Sequence, residues 1–236
     1  MSRIAIVTLG DEKVRDWNSV SFPNKAKYCA DHGYDFIGLS RSLDTNRAPG
    51  WSKVLLLLEH LNDYDYLFWS DTDSLIVEPS VRLESLLTPD KDFVICMGGI
   101  PNCHWSINTG EFFIRNTPWS HSFLHTVWNH EFLVNNYDHR WTKEEFMDHD
   151  GPAYTARSEL HETLRRECNC HGCCGYKMDQ KSFIHTLHHM SDNELKAHVV
   201  AYEPDDPKYF NGYGEFYKLG CFIHHFPGGY KEDLER

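Results

Sequence analysis

At 236 residues and 27.6 kDa, with 41% hydrophobic and 14% aromatic residues, the chain has enough apolar material for a full core. This excludes a disordered tract or a disulfide-stapled miniprotein. Thirty-five acidic residues against 23 basic ones give a net charge of -12, so the average surface repels nucleic-acid phosphates and anionic lipid, and no nucleic-acid partner is expected.

Arg3 to Leu9 is a β-branched apolar run that reads as a buried strand opening an α/β fold, closed by Gly10. Trp17 to His32 has mixed helical spacing with an interruption expected at Pro23, and Gly33 suits a helical C-cap. A second strand is expected over Tyr34 to Leu39. The leucine-rich segment Trp51 to Leu61 reads as a helix because leucine lacks β-branching, and Tyr66 to Trp69 as the next buried strand. Strand, helix, strand, helix, strand is the order of βαβ units, hence a mostly parallel sheet flanked by helices, with ligands beyond the strand C-termini.

Further along, Phe93 to Met97 and Ile107 to Ile114 resemble strands, while Trp119 to Val134 and Asp179 to Met190 resemble helices. His198 to Tyr202 and Cys221 to Phe226 are candidate closing strands. The polar, His- and Cys-rich stretch 135–178 reads as an insertion into a single domain. Within it Cys168, Cys170, Cys173 and Cys174 sit too close for the usual spacing of paired zinc ligands, so a Gly-rich loop competes with a metal site. No window approaches the roughly 18 apolar residues of a membrane span. Met1 to Gly10 lacks the pattern of a secretory signal, so a soluble, cytoplasmic protein is expected.

The strongest chemical signal is Asp71-Thr72-Asp73, directly after the strand Tyr66 to Trp69. Two carboxylates at a strand end can share a hard divalent cation, which prefers oxygen ligands and keeps sites for phosphate oxygens. Three other Asp-x-Asp triplets occur, at Asp63/Asp65, Asp90/Asp92 and Asp148/Asp150, so the pattern alone does not decide. Position does: among the four, the Asp71 triplet alone follows an apolar strand at the ligand edge of the sheet.

Taken together, Trp51-Ser52-Lys53, the run Tyr64 to Ile76 around the triplet, and Ile107-Asn108-Thr109-Gly110-Glu111-Phe112-Phe113-Ile114-Arg115-Asn116 resemble glycosyltransferase family 34, which includes galactosyl-, mannosyl- and xyloglucan xylosyltransferases. Asp179-Gln180, Phe210-Asn211-Gly212-Tyr213 and His225-Phe226-Pro227-Gly228 agree in the same order, so the resemblance spans most of the chain.

The resemblance implies a Rossmann-like GT-A fold and transfer of sugar from a nucleotide-sugar donor of the UDP-xylose, UDP-galactose or GDP-mannose class. The acceptor would be a glycan or glycoprotein hydroxyl, the anomeric configuration retained and the ion Mn²⁺, with Mg²⁺ as an option. By motif position Asp71, Asp73 and His225 would hold the metal. Strand alternation puts His224 and His225 on opposite faces, so one of the two faces the site. Lys53 would sit near the donor's sugar or diphosphate, Lys231 near its diphosphate, Thr72 and Gly228 would also bind the donor, Thr8, Leu9 and Gly10 would hold its nucleoside, and Asn108, Thr109 and Gly110 would line the sugar or acceptor. Asp179 and Gln180 would be the catalytic pair beside the transferred sugar.

Each assignment has a structural competitor: Lys53 as a solvated helix lysine, Asp179 as a helix cap, and Trp105 and Trp119 as packing residues rather than an acceptor platform. The sequence departs from the family pattern at Met178, where many relatives are acidic, and at Gly229-Tyr230, which delay Lys231. Eukaryotic members usually carry an N-terminal Golgi anchor, so the Golgi lumen is the alternative location if an anchor lies outside this sequence. The competing functional readings are a non-catalytic nucleotide- or glycan-binding module and a zinc-organised interaction protein.

Overall fold

The computed structural model describes residues 2–98, 107–131, 134, 179–212, 218 and 220–226. The expected insertion at 135–178, with its four cysteines and Met178, lies outside the described residues, as do Trp105, Gly228, Gly229, Tyr230 and Lys231.

Strand β1 (Ile4–Leu9) is buried along its whole length and lies between β2 (Asp35–Leu39) and β3 (Tyr66–Ser70), parallel to both. Such two-sided burial is what a continuous apolar strand requires. The central sheet runs β2-β1-β3-β6-β5-β7, where β5 is Phe93–Cys96, β6 Asn108–Arg115 and β7 Val199–Tyr202. It is mostly parallel, as expected. β6 is the exception, antiparallel to both β3 and β5, an orientation that its apolar run Phe112-Phe113-Ile114 leaves open.

One face of the sheet, through Val7, Trp69, Phe93 and Phe112, packs on residues of helices α2 (Ser52–His60), α4 (Pro118–Trp128) and α5 (Asp179–His188). The other, through Ile6, Phe68 and Phe113, packs on residues of α1 (Arg15–His32) and of a small second sheet. That second sheet has the order β4-β9-β8, formed by β4 (Ser74–Ile76), β8 (Asn211–Gly212) and β9 (Ile223–His225). Two short helices, α3 (Leu83–Leu86) and α6 (Asp192–His198), complete the described elements. No helix among the described residues is long and apolar enough to cross a membrane.

Helix α1 runs through Pro23, contrary to the expected interruption. Pro23 and Ser19, whose carbonyl loses its N–H partner, are both exposed, so water can replace the missing bond. The helix ends where expected: Gly33 takes a left-handed φ of 76° and its N–H bonds Cys29 O. Helix α4 is shorter than the expected Trp119 to Val134. Thr117 caps its start, accepting from Ser120 N–H, and after Trp128 the chain turns at Asn129. Of the two candidate closing strands, β7 joins the central sheet beside β5, whereas β9 leaves it and pairs antiparallel with β4.

Candidate active site

The site is built where β3 ends. β3 delivers Asp71 at the sheet edge, and the turn Asp71–Asp73 reverses the chain into β4, which lies antiparallel to β9 with Ser74 opposite His225. Phe226 N–H donates to Asp73 O at 2.8 Å, closing the turn against the end of β9. Asp71, Asp73 and His225 thereby come together, with a ligand atom from each lying within 4.8 Å of the others. His225 Nε2 is 3.5 Å from Asp73 Oδ1.

A chain of side-chain contacts orients that imidazole. His225 Nδ1 bonds Asn211 Oδ1 at 3.0 Å, and Asn211 Nδ2 donates to Asn108 Oδ1 at 3.0 Å. Because an amide oxygen only accepts, Nδ1 carries a proton, which leaves Nε2, the nitrogen nearer Asp73, as the atom that hydrogen-bonds Asp73 when protonated and can hold an ion when neutral. Gly110 makes room for the ring: a Cβ there would meet His225 Cε1 at 2.3 Å. Of the two histidines considered, His225 therefore faces the site, and it is buried, while the ring of His224 lies against Phe226.

Lys53 is not a solvated lysine. At 3% exposure its ammonium lies 2.9 Å from Asp179 Oδ2 and 3.3 Å from Asp71 Oδ1, and it donates to Thr109 O at 2.7 Å. Burial disfavours the charge, but Asp179 and then Asp71 outweigh it and hold the Lys53 pKa above the usual lysine value. Burial also raises Asp71, against the pull of Lys53. For Asp73 burial acts upward, yet the hydrogen bond and charge of His225 prevail and hold the carboxyl below its ordinary value; burial lowers His225, and Asp73 more than reverses it.

Asp179 and Gln180 open α5 beside this cluster. Asp179 packs so closely on the chain that a Cβ at Gly50 would meet its Oδ1 at 2.7 Å. Gln180 Oε1 accepts from Thr109 N–H at 3.0 Å, linking α5 to β6. Asn108, Thr109, Gly110, Asp179 and Gln180 are thus contiguous with the carboxylate pair.

Thr72 sits on the other side of the turn, its Oγ1 donating to Asn18 Oδ1 at 2.5 Å. Asn18 Nδ2 in turn donates to Gly10 O at 2.7 Å, and a Cβ at Gly10 would meet Asn18 Oδ1 at 2.0 Å. Gly10 N–H bonds Leu39 O at 3.0 Å, so both backbone groups of Gly10 are engaged within the protein. Thr8 and Leu9 are buried in β1. An open cleft of about 320 Å³ beside Gly10 is lined by Asp11, Glu12, Arg15, Asn18, Phe22 and Ser40. Trp119 lies elsewhere, stacked between Phe123 and His198 with its Nε1 on Glu194, so among the described residues it is a packing residue.

Sequence reasoning missed Asn18, Lys25 and Glu111. Asn18 carries no motif, Lys25 lies in a helix whose pattern is not clearly amphipathic, and Glu111 hides in an apolar strand. Asn211 lay in a matching segment, but its hold on His225 depends on β8 and β9 being neighbours.

Residues 2–94 match the model of the galactosyl transferase GMA12/MNN10 family, which is glycosyltransferase family 34. Over that stretch the chain is similar to this family. Among curated proteins it is similar to xyloglucan 6-xylosyltransferase 2 of Arabidopsis thaliana, 30% identical over 116 residues, which are 45% of this chain and 24% of the relative. It is also similar to xyloglucan 6-xylosyltransferase 1 of the same plant, 31% identical over 114 residues, 44% of the chain and 24% of the relative. The matched part thus spans about a quarter of these relatives' length.

Among solved structures, a glycosyltransferase involved in glycosylation of the major capsid of PBCV-1 superposes with a TM-score of 0.60 at 14% identity, covering 98% of this chain and 96% of that one. A Drosophila beta-1,4-galactosyltransferase 7 variant in complex with manganese, UDP-Gal and xylobiose superposes with a TM-score of 0.50 at 10% identity, covering 99% of this chain and 74% of that one. The fold is GT-A, as the sequence motifs implied.

Proposed function

We propose that this protein is a metal-dependent glycosyltransferase that moves a sugar from a nucleotide-sugar donor to a glycan hydroxyl with retention of configuration. The observation that carries this reading is the convergence of Asp71, Asp73 and His225 at the end of β3, with buried Lys53 paired to Asp71 and to Asp179. Two carboxylates and one imidazole with a fixed tautomer fit a divalent cation, and the nitrogen in the set favours Mn²⁺ over Mg²⁺. Bound there, the ion would neutralise charge on the donor diphosphate.

The protein's own groups do the rest. The cleft lined by Asp11, Asn18 and Ser40, which Asn18 ties to Gly10 and Thr72, would hold the donor's nucleoside. Lys53 supplies a fixed positive charge, already oriented before the donor arrives, where negative charge develops on the leaving nucleotide. Gln180, its Oε1 held by Thr109, keeps its Nε2 for a sugar hydroxyl, and Asn108 offers its side chain on the same side. Asp179 orients Lys53 and stabilises positive charge at the anomeric carbon. The similarity to xyloglucan 6-xylosyltransferases makes UDP-xylose the first donor to try, with UDP-galactose and GDP-mannose next.

The test is calorimetric titration of UDP and of GDP, each with and without Mn²⁺, into the wild type and Asp73→Ala. One nucleotide is expected to bind only with the ion and only when Asp73 is present. In the same variant sugar transfer is expected to fall by at least about 100-fold while the melting temperature stays within a few degrees, because Asp73 lies at a partly exposed turn rather than in the core. Ion-independent binding, or full activity of Asp73→Ala, would overturn the metal assignment. Binding without any transfer to glycan acceptors would favour a non-catalytic module.

A further inference from the structure

Beneath the Asp71–Asp73 turn lies a layer of buried polar side chains that none of the proposed ligands accounts for. Lys25, from the middle of α1, is fully buried, and its ammonium points into the turn from below. It donates to Asp71 O at 2.7 Å, to Ser74 O at 3.0 Å and to Ser21 Oγ at 2.5 Å, so each of its three protons has an acceptor. The two carbonyls it grips flank Thr72 and Asp73.

Ser74 adds a second tie, its Oγ donating to Asp71 O at 2.7 Å and meeting Ser70 Oγ at 3.0 Å. Ser70 Oγ reaches Glu111 Oε1 at 3.2 Å, and the other oxygen of Glu111 is buried without a hydrogen-bond partner among the described residues. A lysine taken wholly out of water carries a desolvation cost that its hydrogen bonds must offset, so its burial here is tied to the acceptors it holds. Its charge is also of the wrong sign to attract a cation.

We infer that Lys25 is a positioning residue: by clamping the carbonyls of Asp71 and Ser74 from beneath, it holds the Asp71 and Asp73 carboxylates in the arrangement that takes the metal ion, with Ser74 as its auxiliary. The inference rests on the metal reading proposed above, and it makes a signed prediction. Were Lys25 only a charge, its removal would relieve repulsion and tighten cation binding. As a clamp, its removal loosens the turn and weakens binding, by about 10- to 100-fold for a supporting residue of this kind.

The experiment has two readouts on Lys25→Met and on the milder Ser74→Ala, which keeps the fold testable if the first variant does not accumulate. The first is hydrogen exchange of the metal-free protein over residues 70–76. The second is Mn²⁺ affinity without nucleotide, read from the spin signal of the free ion. Expected are faster exchange confined to the turn and weaker Mn²⁺ binding, larger for Lys25→Met than for Ser74→Ala. Unchanged turn exchange, or Mn²⁺ binding that is equal or tighter in folded variants, would overturn the inference. If the wild type itself takes no Mn²⁺, the metal reading falls, and exchange at the turn still decides whether Lys25 holds it.

Discussion

Two regions packed against the same central sheet are built by opposite rules. Around Phe93, Phe112, Phe123 and Phe183 the protein buries rings on rings, with centroids 5.1 to 6.0 Å apart between β5, β6, α4 and α5. At the end of β3 it buries Lys25, Lys53, Glu111 and Asp179, all less than a tenth exposed. The first arrangement is stabilised by removing apolar surface from water and tolerates no loss of volume. In the second, each charge faces a desolvation cost, which the partners of Lys25 and Glu111 offset only in part, so the gain is in placement rather than in stability. The same fold therefore separates the residues that keep it folded from those of the proposed site.

The largest expected effect lies on the aromatic side. Phe123 is 2% exposed and touches Phe93, Trp119 and Phe183, so Phe123→Ala opens a cavity and costs about 3 to 5 kcal/mol. The melting temperature should fall by roughly 10 °C, while Mn²⁺ and nucleotide affinity measured well below that temperature stay at the wild-type level. A variant that melts lower and also loses its ion would show that the two regions are coupled and would break the comparison.

The reverse substitution is Gly110→Ala. Its Cβ would press on the His225 ring, with Cε1 at 2.3 Å and Nδ1 at 2.9 Å, and on Asn108 Oδ1 at 2.8 Å, so the imidazole must move. Mn²⁺ affinity should drop by about tenfold or more, with a thermal shift well short of that of Phe123→Ala. Titration and melting of the two variants side by side check both halves of the contrast. Normal affinity in Gly110→Ala would remove His225 from the ligand set.

Much of this was legible because it rests on local pattern. The β-branched run ending at Leu9, the leucine-rich helix after Trp51 and the apolar Tyr66 to Trp69 each announce their element, and together they place the Asp71 triplet at a strand end. Gly33 closes its helix as its type predicts. What stayed hidden depends on contacts between distant segments. The buried face of α1, made of Trp17, Ser21, Lys25, Tyr28 and Cys29, mixes polar and apolar residues, so no hydrophobic periodicity points to it. The orientation of β6 and the departure of β9 to a second sheet follow from strand pairing, which alternation in one strand does not encode. Lys53 stands out through the Trp51-Ser52-Lys53 motif, but the choice between a donor-binding and a solvated lysine needs its contacts with Asp71 and Asp179.

The smallest expected effect concerns Glu111, which links the two regions because it precedes Phe112 in β6 yet turns its carboxyl toward the charged layer. Burial pushes Glu111 up to about 7 from an ordinary 4.5, against the pull of Lys25, while burial pushes Lys25 down to about 8. Between pH 4.5 and 7 the folded protein therefore holds a proton at Glu111 that the unfolded chain has released, so the contribution of this group to stability falls as pH rises through that window. The slope is at most about 1.4 kcal/mol per pH unit. Glu111→Gln has no proton to lose, keeps an acceptor for Ser70, and should remove this component. The difference in melting temperature, variant minus wild type, should grow by a few degrees from pH 5 to pH 7. A difference that stays constant over that range would mean that Glu111 is already ionised at pH 5, its buried charge held by Lys25, and the charged layer beneath the turn would then be a true ion pair.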